Sequence, residues 1–139
     1  MSPERSRERF AAASHALLAT ADREGAPHIV PIVFALAGDT IYNAVDRKPK
    51  RTTALRRLQN VAENPRAAVL AEHYSDDWAK LWWVRAEGSA RVIEAAEREG
   101  AAALELLAAR YETYRRQRPP GPLLAIDVAR WSGWEASRD

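Results

Sequence analysis

"TIYNAVDRKPKRTTALRRLQNVAENP", from Thr40 to Pro65, decides how this chain is read. "TIYNAV" has the β-branched and aromatic character of a strand. Immediately after it, Arg47, Lys48, Lys50 and Arg51 crowd together. The stretch "ALRRLQNVAEN" then follows as a helix, with Thr52 or Thr53 as its cap and Leu55, Leu58 and Ala62 on one face. Asn64-Pro65 stops it, because proline disfavours helical backbone in the residue before it. A helix start offers unbonded N–H groups and a partial positive charge. Cations placed there oppose the dipole, so they need another reason to be there. A compact bound anion supplies one. A solvated Lys/Arg loop explains the same residues without a ligand. Arg56 and Arg57, further along, read as solvated helix positions.

Working outward toward the N-terminus, Ser2-Pro3 opens a short helix over "PERSRERFAAASHA". "ALLATA" (16–21) is a buried strand, and "DREGAP" is a turn punctuated by Gly25 and Pro27. "HIVPIVFAL" is a strand whose Pro31 marks an edge or a bulge. Toward the C-terminus, "RAAVLAEHY" is a strand and "SDDWAK" a polar loop. "LWWVRAEGSARVIE" is a long strand with Gly88 as a bulge or close-approach point. A second long helix begins at Ala95, with Leu104, Leu107, Ala108, Tyr111 and Tyr114 at three-four spacing. "RPPGP" ends it, and "LLAIDVARWSGWEA" is the last strand. About six short antiparallel strands in a chain of this length predict a closed barrel or a sandwich.

Composition narrows the function classes. The 139 residues suit one domain over 1–139, and the hydrophobic fraction of 47% suits a globular core. With 21 basic and 19 acidic residues the net charge is only +2, which argues against a nucleic-acid binder that neutralises many phosphates. Cysteine is absent, which removes disulfides, thiolate ligands and a cysteine nucleophile. No apolar run approaches a membrane span, and "MSPERSRERF" lacks the apolar core of a secretion signal, so a soluble cytoplasmic protein is expected.

Trp82 and Trp83 must point to opposite faces of their strand, so at most one belongs to the core. The other needs a partner, whether a ring system, a covering helix or a second subunit. Three histidines, His15, His28 and His73, show no metal-site spacing, and no phosphate loop, dinucleotide fingerprint or serine elbow is present. If the chain is an enzyme, a cofactor does the chemistry.

The order of these features resembles the pyridoxamine-phosphate-oxidase-like split-barrel superfamily. Those flavoproteins carry a strand, a basic phosphate turn, and a short helix ending near Asn-Pro, which is the order of Thr40 to Pro65. A later family strand reads roughly Gln-Val-Arg-Val-Glu-Gly, and here stands "WVRAEG", Trp83 to Gly88. The resemblance covers about Leu17 to Glu94, with a plausible last strand at the C-terminus. Within the superfamily the chain looks most like the small oxidoreductases that use the deazaflavin coenzyme F420.

That resemblance implies a mainly β fold with flanking helices: a six-stranded antiparallel split β-barrel of the FMN-binding type, assembled as a homodimer with cofactor at the subunit interface. It implies that Arg47, Lys48, Lys50 and Arg51 approach the cofactor phosphate or acidic tail, helped by Thr52 and Thr53. Val30, Pro31 and Ile32 would flank the ring, with Trp82, Trp83 and Arg85 completing the cofactor-binding set. The implied activity is hydride transfer between F420 and a small organic substrate. FMN is the alternative cofactor, and a non-catalytic flavin or haem carrier is a further reading. Two departures count: Trp83 stands where the FMN oxidases have glutamine, and the C-terminal arginine and histidine motif of the pyridoxamine-phosphate enzymes is missing. A nucleic-acid-binding barrel using the basic turn is the outlying alternative.

Overall fold

A computed structural model describes residues 1–45 and 51–137, with the backbone alone over 51–55. Seven strands form one antiparallel sheet in the order β2-β1-β5-β6-β7-β4-β3. They are β1 (Ala16–Ala21), β2 (Pro27–Ile32), β3 (Ala35–Ala37), β4 (Thr40–Ala44), β5 (Arg66–His73), β6 (Trp82–Ile93) and β7 (Leu123–Glu135). The helices are α1 (Pro3–Ala11), α2 (Arg51–Glu63), α3 (Arg98–Arg110) and α4 (Glu112–Arg116). The architecture is the expected mainly β, split-barrel type with flanking helices.

Among the described residues the strand count is seven rather than six because "HIVPIVFAL" divides. Phe34 spends its backbone groups on side chains: its N–H donates to Tyr111 Oη at 3.3 Å, and its carbonyl accepts from Arg110 Nη1 at 2.9 Å and Tyr111 Oη at 3.1 Å. No neighbouring strand can use them, so the strand breaks between β2 and β3. The same tyrosine interrupts the expected long helix. Tyr111 takes φ −119 and ψ 121, which separates α3 from α4. The helix at the N-terminus stops at Ala11, short of His15, and its cap is as expected, with Arg5 N–H donating to Ser2 Oγ at 3.1 Å.

Alternation explains which residues go inside. Along β6, Val84, Ala86 and Ala90 are buried while Trp83, Arg85 and Arg91 face outward. The principal core gathers Phe10, Leu18, Phe34, Val69, Val84 and Ile126, with Val61 of α2 closing it. A second cluster lies under α3, where Leu104 and Leu107 meet Tyr42, Ile93 and Leu123. The run Leu123–Ile126 is buried without alternation because its residues serve the two clusters in turn. β2 is an edge strand, where Pro31's missing N–H does least harm.

A charged staple ties β4, β6, β7 and α3 together. Arg91 donates to both Glu99 oxygens at 2.6 and 2.7 Å and to both Asp127 oxygens at 2.7 and 3.1 Å. Tyr42 Oη donates to Glu99 at 2.7 Å, and Thr40 Oγ1 to Asp127 at 3.1 Å. Arg91 and Tyr42 hold the Glu99 carboxyl down to about 2, from an ordinary 4.5. A lowered folded-state value stabilises the fold above the unfolded value, and that contribution is lost as pH falls from about 4.5 toward 2. Arg91→Met is therefore expected to flatten acid unfolding in that window. The check is the melting temperature at successive pH values against Glu99→Gln, which should flatten the same window.

Candidate functional site

The site is built where α2 lies against the inner face of the sheet. Val61 and Asn60 of α2 are buried, and Asn60 Nδ2 donates to Thr20 Oγ1 of β1 at 3.2 Å. One turn earlier on the same stripe sits Arg57. Of the expected face Leu58 packs against the core, but Ala62 is exposed while Arg57 is half-buried, and the Leu55 side chain lies outside the described part of the chain. Arg57 Nη1 donates to Asn43 Oδ1 at 2.8 Å, and buried Asn43 passes the chain on through Nδ2 to the Val33 carbonyl at 3.0 Å.

Arg57 is not the solvated residue that the sequence suggested. Among the described residues it has no carboxylate partner, and its Nε–H is buried without an acceptor. Burial lowers its affinity for the proton, yet a guanidinium stays charged at any ordinary pH. Beside it on β2, His28 faces inward opposite Thr20, with Nδ1 buried and unbonded. Burial first, then the charges of Arg56 and Arg57, push the His28 imidazole below its ordinary 6.5. A half-buried cation with a vacant donor, a neutral histidine and a neutral asparagine form an electropositive, unsatisfied corner. An oxyanion satisfies Arg57 Nε–H and favours protonation of His28, so the residues present fit an anionic group.

The sign of that coupling is testable. His28, lowered in the folded state, costs stability as pH falls below 6.5, and a bound anion raises it. Saturating inorganic phosphate is expected to move the NMR titration midpoint of His28 upward. An unchanged midpoint would remove the anion from this corner.

The other expected site residues are distributed as follows. Arg47, Lys48 and Lys50 lie outside the described residues. Arg51, Thr52 and Thr53 form the first turn of α2, so Thr52 and Thr53 stand within the helix rather than at its cap. Val30 and Ile32 are core residues at 8% and 4% exposure, and Pro31 between them is exposed. Trp82 packs against the core with the Arg9 guanidinium 4.9 Å from its ring centroid. Trp83 faces outward under the Arg85 guanidinium at 5.2 Å, and Arg85 pairs with Glu87 at 2.9 Å. The two tryptophans are on opposite faces, as expected. The alternation also puts Trp83 and Arg85 on the sheet face opposite to Arg57 and His28.

Sequence reasoning missed Arg57, His28 and Asn43. A polar stripe at Arg57, Asn60 and Asn64, spaced three and four along the helix, was the available signal. No group of three or more metal-ligating side chains occurs among the described residues, and no described helix is long and apolar enough to cross a membrane.

Known proteins match this fold end to end. An FAD-binding protein from Mesorhizobium loti superposes with TM-score 0.77 at 17% identity, covering 99% of this chain and 96% of its own. The haem storage protein HutZ from Vibrio cholerae gives 0.72 at 13% identity, covering 97% and 95%. An FAD-binding protein from Mycobacterium smegmatis gives 0.64 at 16% identity, covering 96% and 94%. At these identities the likeness is one of fold. No curated protein sequence matches the chain. The family model described as pyridoxamine 5'-phosphate oxidase matches residues 2–135. With nearly the whole length matched, the chain belongs to the pyridoxamine 5'-phosphate oxidase family.

Proposed function

We propose that this protein is an oxidoreductase of the flavin/deazaflavin split-barrel type. In this reading it transfers hydride between coenzyme F420 and a small organic acceptor, with FMN as the alternative cofactor. The observation that carries it is the Arg57 corner, a half-buried guanidinium lacking both a carboxylate and an acceptor for Nε–H. Both cofactors end in an anionic tail that such a corner recognises. Membership of the family and the likeness to FAD-binding proteins support the flavin-type reading.

The bound cofactor would supply hydride chemistry that no side chain can. Arg57 would hold the anionic end through Nε, while Asn43 fixes the guanidinium from its other side. His28 would adjust its protonation to the anion. Arg47, Lys48, Lys50 and Arg51 remain proposed ligands of the same end, following the family motif. Trp83, on the opposite face of the sheet, has only an indole N–H donor and takes no part in the corner that would hold the anionic end.

The test is turnover. Reduced F420 and reduced FMN are each mixed with the protein and activated alkenes or imines, and the oxidised chromophore is followed. Acceptor-dependent oxidation of reduced F420 supports the proposal, and oxidation of reduced FMN alone selects the alternative. Tight binding without turnover makes the protein a carrier instead.

A further inference from the structure

The helices are held to the sheet in different ways. α3 buries Ala103, Leu104, Leu107 and Ala108 and docks by apolar packing. Among the described side chains of α2, Leu58 and Val61 reach the core, and the other ties are polar. Arg57 Nη1 donates to Asn43 Oδ1 at 2.8 Å and Asn60 Nδ2 to Thr20 Oγ1 at 3.2 Å. Just past the helix end, Asn64 Nδ2 donates to the Asp22 carbonyl at 3.4 Å. The Arg23–Glu63 ion pair at 3.2 Å has a largely solvated arginine and adds little. Thr20 belongs to β1 and Asn43 to β4, and β5, β6 and β7 stand between those strands in the sheet. α2 therefore spans a seam across which β1 and β4 share no hydrogen-bonded ladder.

Two effects oppose each other at that seam. The hydrogen bonds and two apolar side chains hold α2 down. Holding it down leaves Arg57 half-buried with its Nε–H unbonded, and leaves His28 Nδ1 unbonded on the β2 side. A buried cation without an anionic partner penalises the docked position. With the helix lifted, water would reach the guanidinium and that penalty would vanish. An oxyanion reverses the balance. It satisfies Arg57 Nε–H while Asn43 holds the guanidinium from its other side, an arrangement that exists only when α2 is docked. A ligand that prefers one position shifts the equilibrium toward it.

We propose that α2 is an anion-operated latch, closing the seam between the β1 and β4 sides loosely without an oxyanion and firmly with one. This rests on the reading of the Arg57 corner as an anion site, and adds that occupancy there governs the whole helix. Arg57 Nε is shielded from solvent while α2 is docked, so lifting of the helix is also the route by which the anion enters.

The test is backbone amide exchange followed by NMR on the full chain, with and without saturating inorganic phosphate, the ionic strength being matched with chloride. Without phosphate, protection factors over residues 57–63 should be at least about tenfold lower than over 103–108 of α3. Phosphate should raise those of 57–63 by at least about tenfold and leave 103–108 unchanged. Arg57→Gln should abolish that response while α3 keeps its parental protection, and Arg56→Ala, an exposed change, should retain it. Equal protection of α2 and α3 without phosphate, or an Arg57→Gln helix that still responds, would overturn the latch. A His28 titration moved by phosphate with α2 exchange unchanged would overturn the latch alone and leave the anion corner standing. If phosphate moves neither, both fall.

Discussion

Replacing Gly88 with alanine is expected to lower stability by about 4 kcal/mol, or roughly 10–15 °C in melting temperature. A methyl group there would lie 2.0 Å from the Asp127 carbonyl oxygen and 2.8 Å from its carbon. Those are backbone atoms of β7, so no side chain can swing aside. Nor is β7 free to retreat, since Asp127 is held by Arg91 and Thr40. The register breaks at this point: Glu87 faces Arg130 while Gly88 faces Val128, leaving Ala129 as the extra residue of a bulge. Ser89→Ala, next door and exposed, is the control and should change little. A Gly88→Ala protein melting within about 3 °C of the parent would show that the sheet adjusts more readily than this packing implies.

Arg57→Ala is expected to weaken binding of an anion-tailed cofactor by about 10- to 100-fold, the effect of losing a charge-assisted hydrogen bond. The fold should also lose about 1–2 kcal/mol, because the buried Asn43 Oδ1 would be left unbonded. Arg57→Lys restores charge but cannot bond Asn43 and a ligand through two separate guanidinium nitrogens, so it should recover only part of the affinity. Arg56→Ala provides the contrast, since Arg56 is exposed and acts on the corner only through its field. If Arg56→Ala weakened cofactor binding as much as Arg57→Ala, the affinity would come from diffuse charge rather than from this corner.

Local features of the sequence translated well into the fold. The Ser2 cap, the edge strand carrying Pro31, the bulge at Gly88 and the opposite faces of Trp82 and Trp83 each follow from a few neighbouring residues. What stayed hidden was tertiary. Nothing near Phe34 announces that its backbone will bond Tyr111 and Arg110, some 77 and 76 positions away, yet those bonds divide β2 from β3. The site shows the same limit. An arginine on an amphipathic helix ordinarily points to water, and only the docking of α2 through Asn60 and Val61 turns Arg57 inward. The cluster that drew attention in the sequence, Arg47 to Lys50, lies outside the described residues. The order of the Thr40–Pro65 stretch and the later strand "WVRAEG" together carried the family resemblance, which the match over residues 2–135 bears out.

The central claim is that Arg57 and His28 hold the anionic end of the cofactor. Its most direct measurement is a paired titration by tryptophan fluorescence: FMN against riboflavin, and F420 against the deazaflavin lacking its phosphate tail. For the cofactor the protein uses, the tailed form should bind at least tenfold tighter than the tail-less one, and Arg57→Ala should close most of that gap. Equal affinities within each pair, or a gap that survives Arg57→Ala intact, would contradict it.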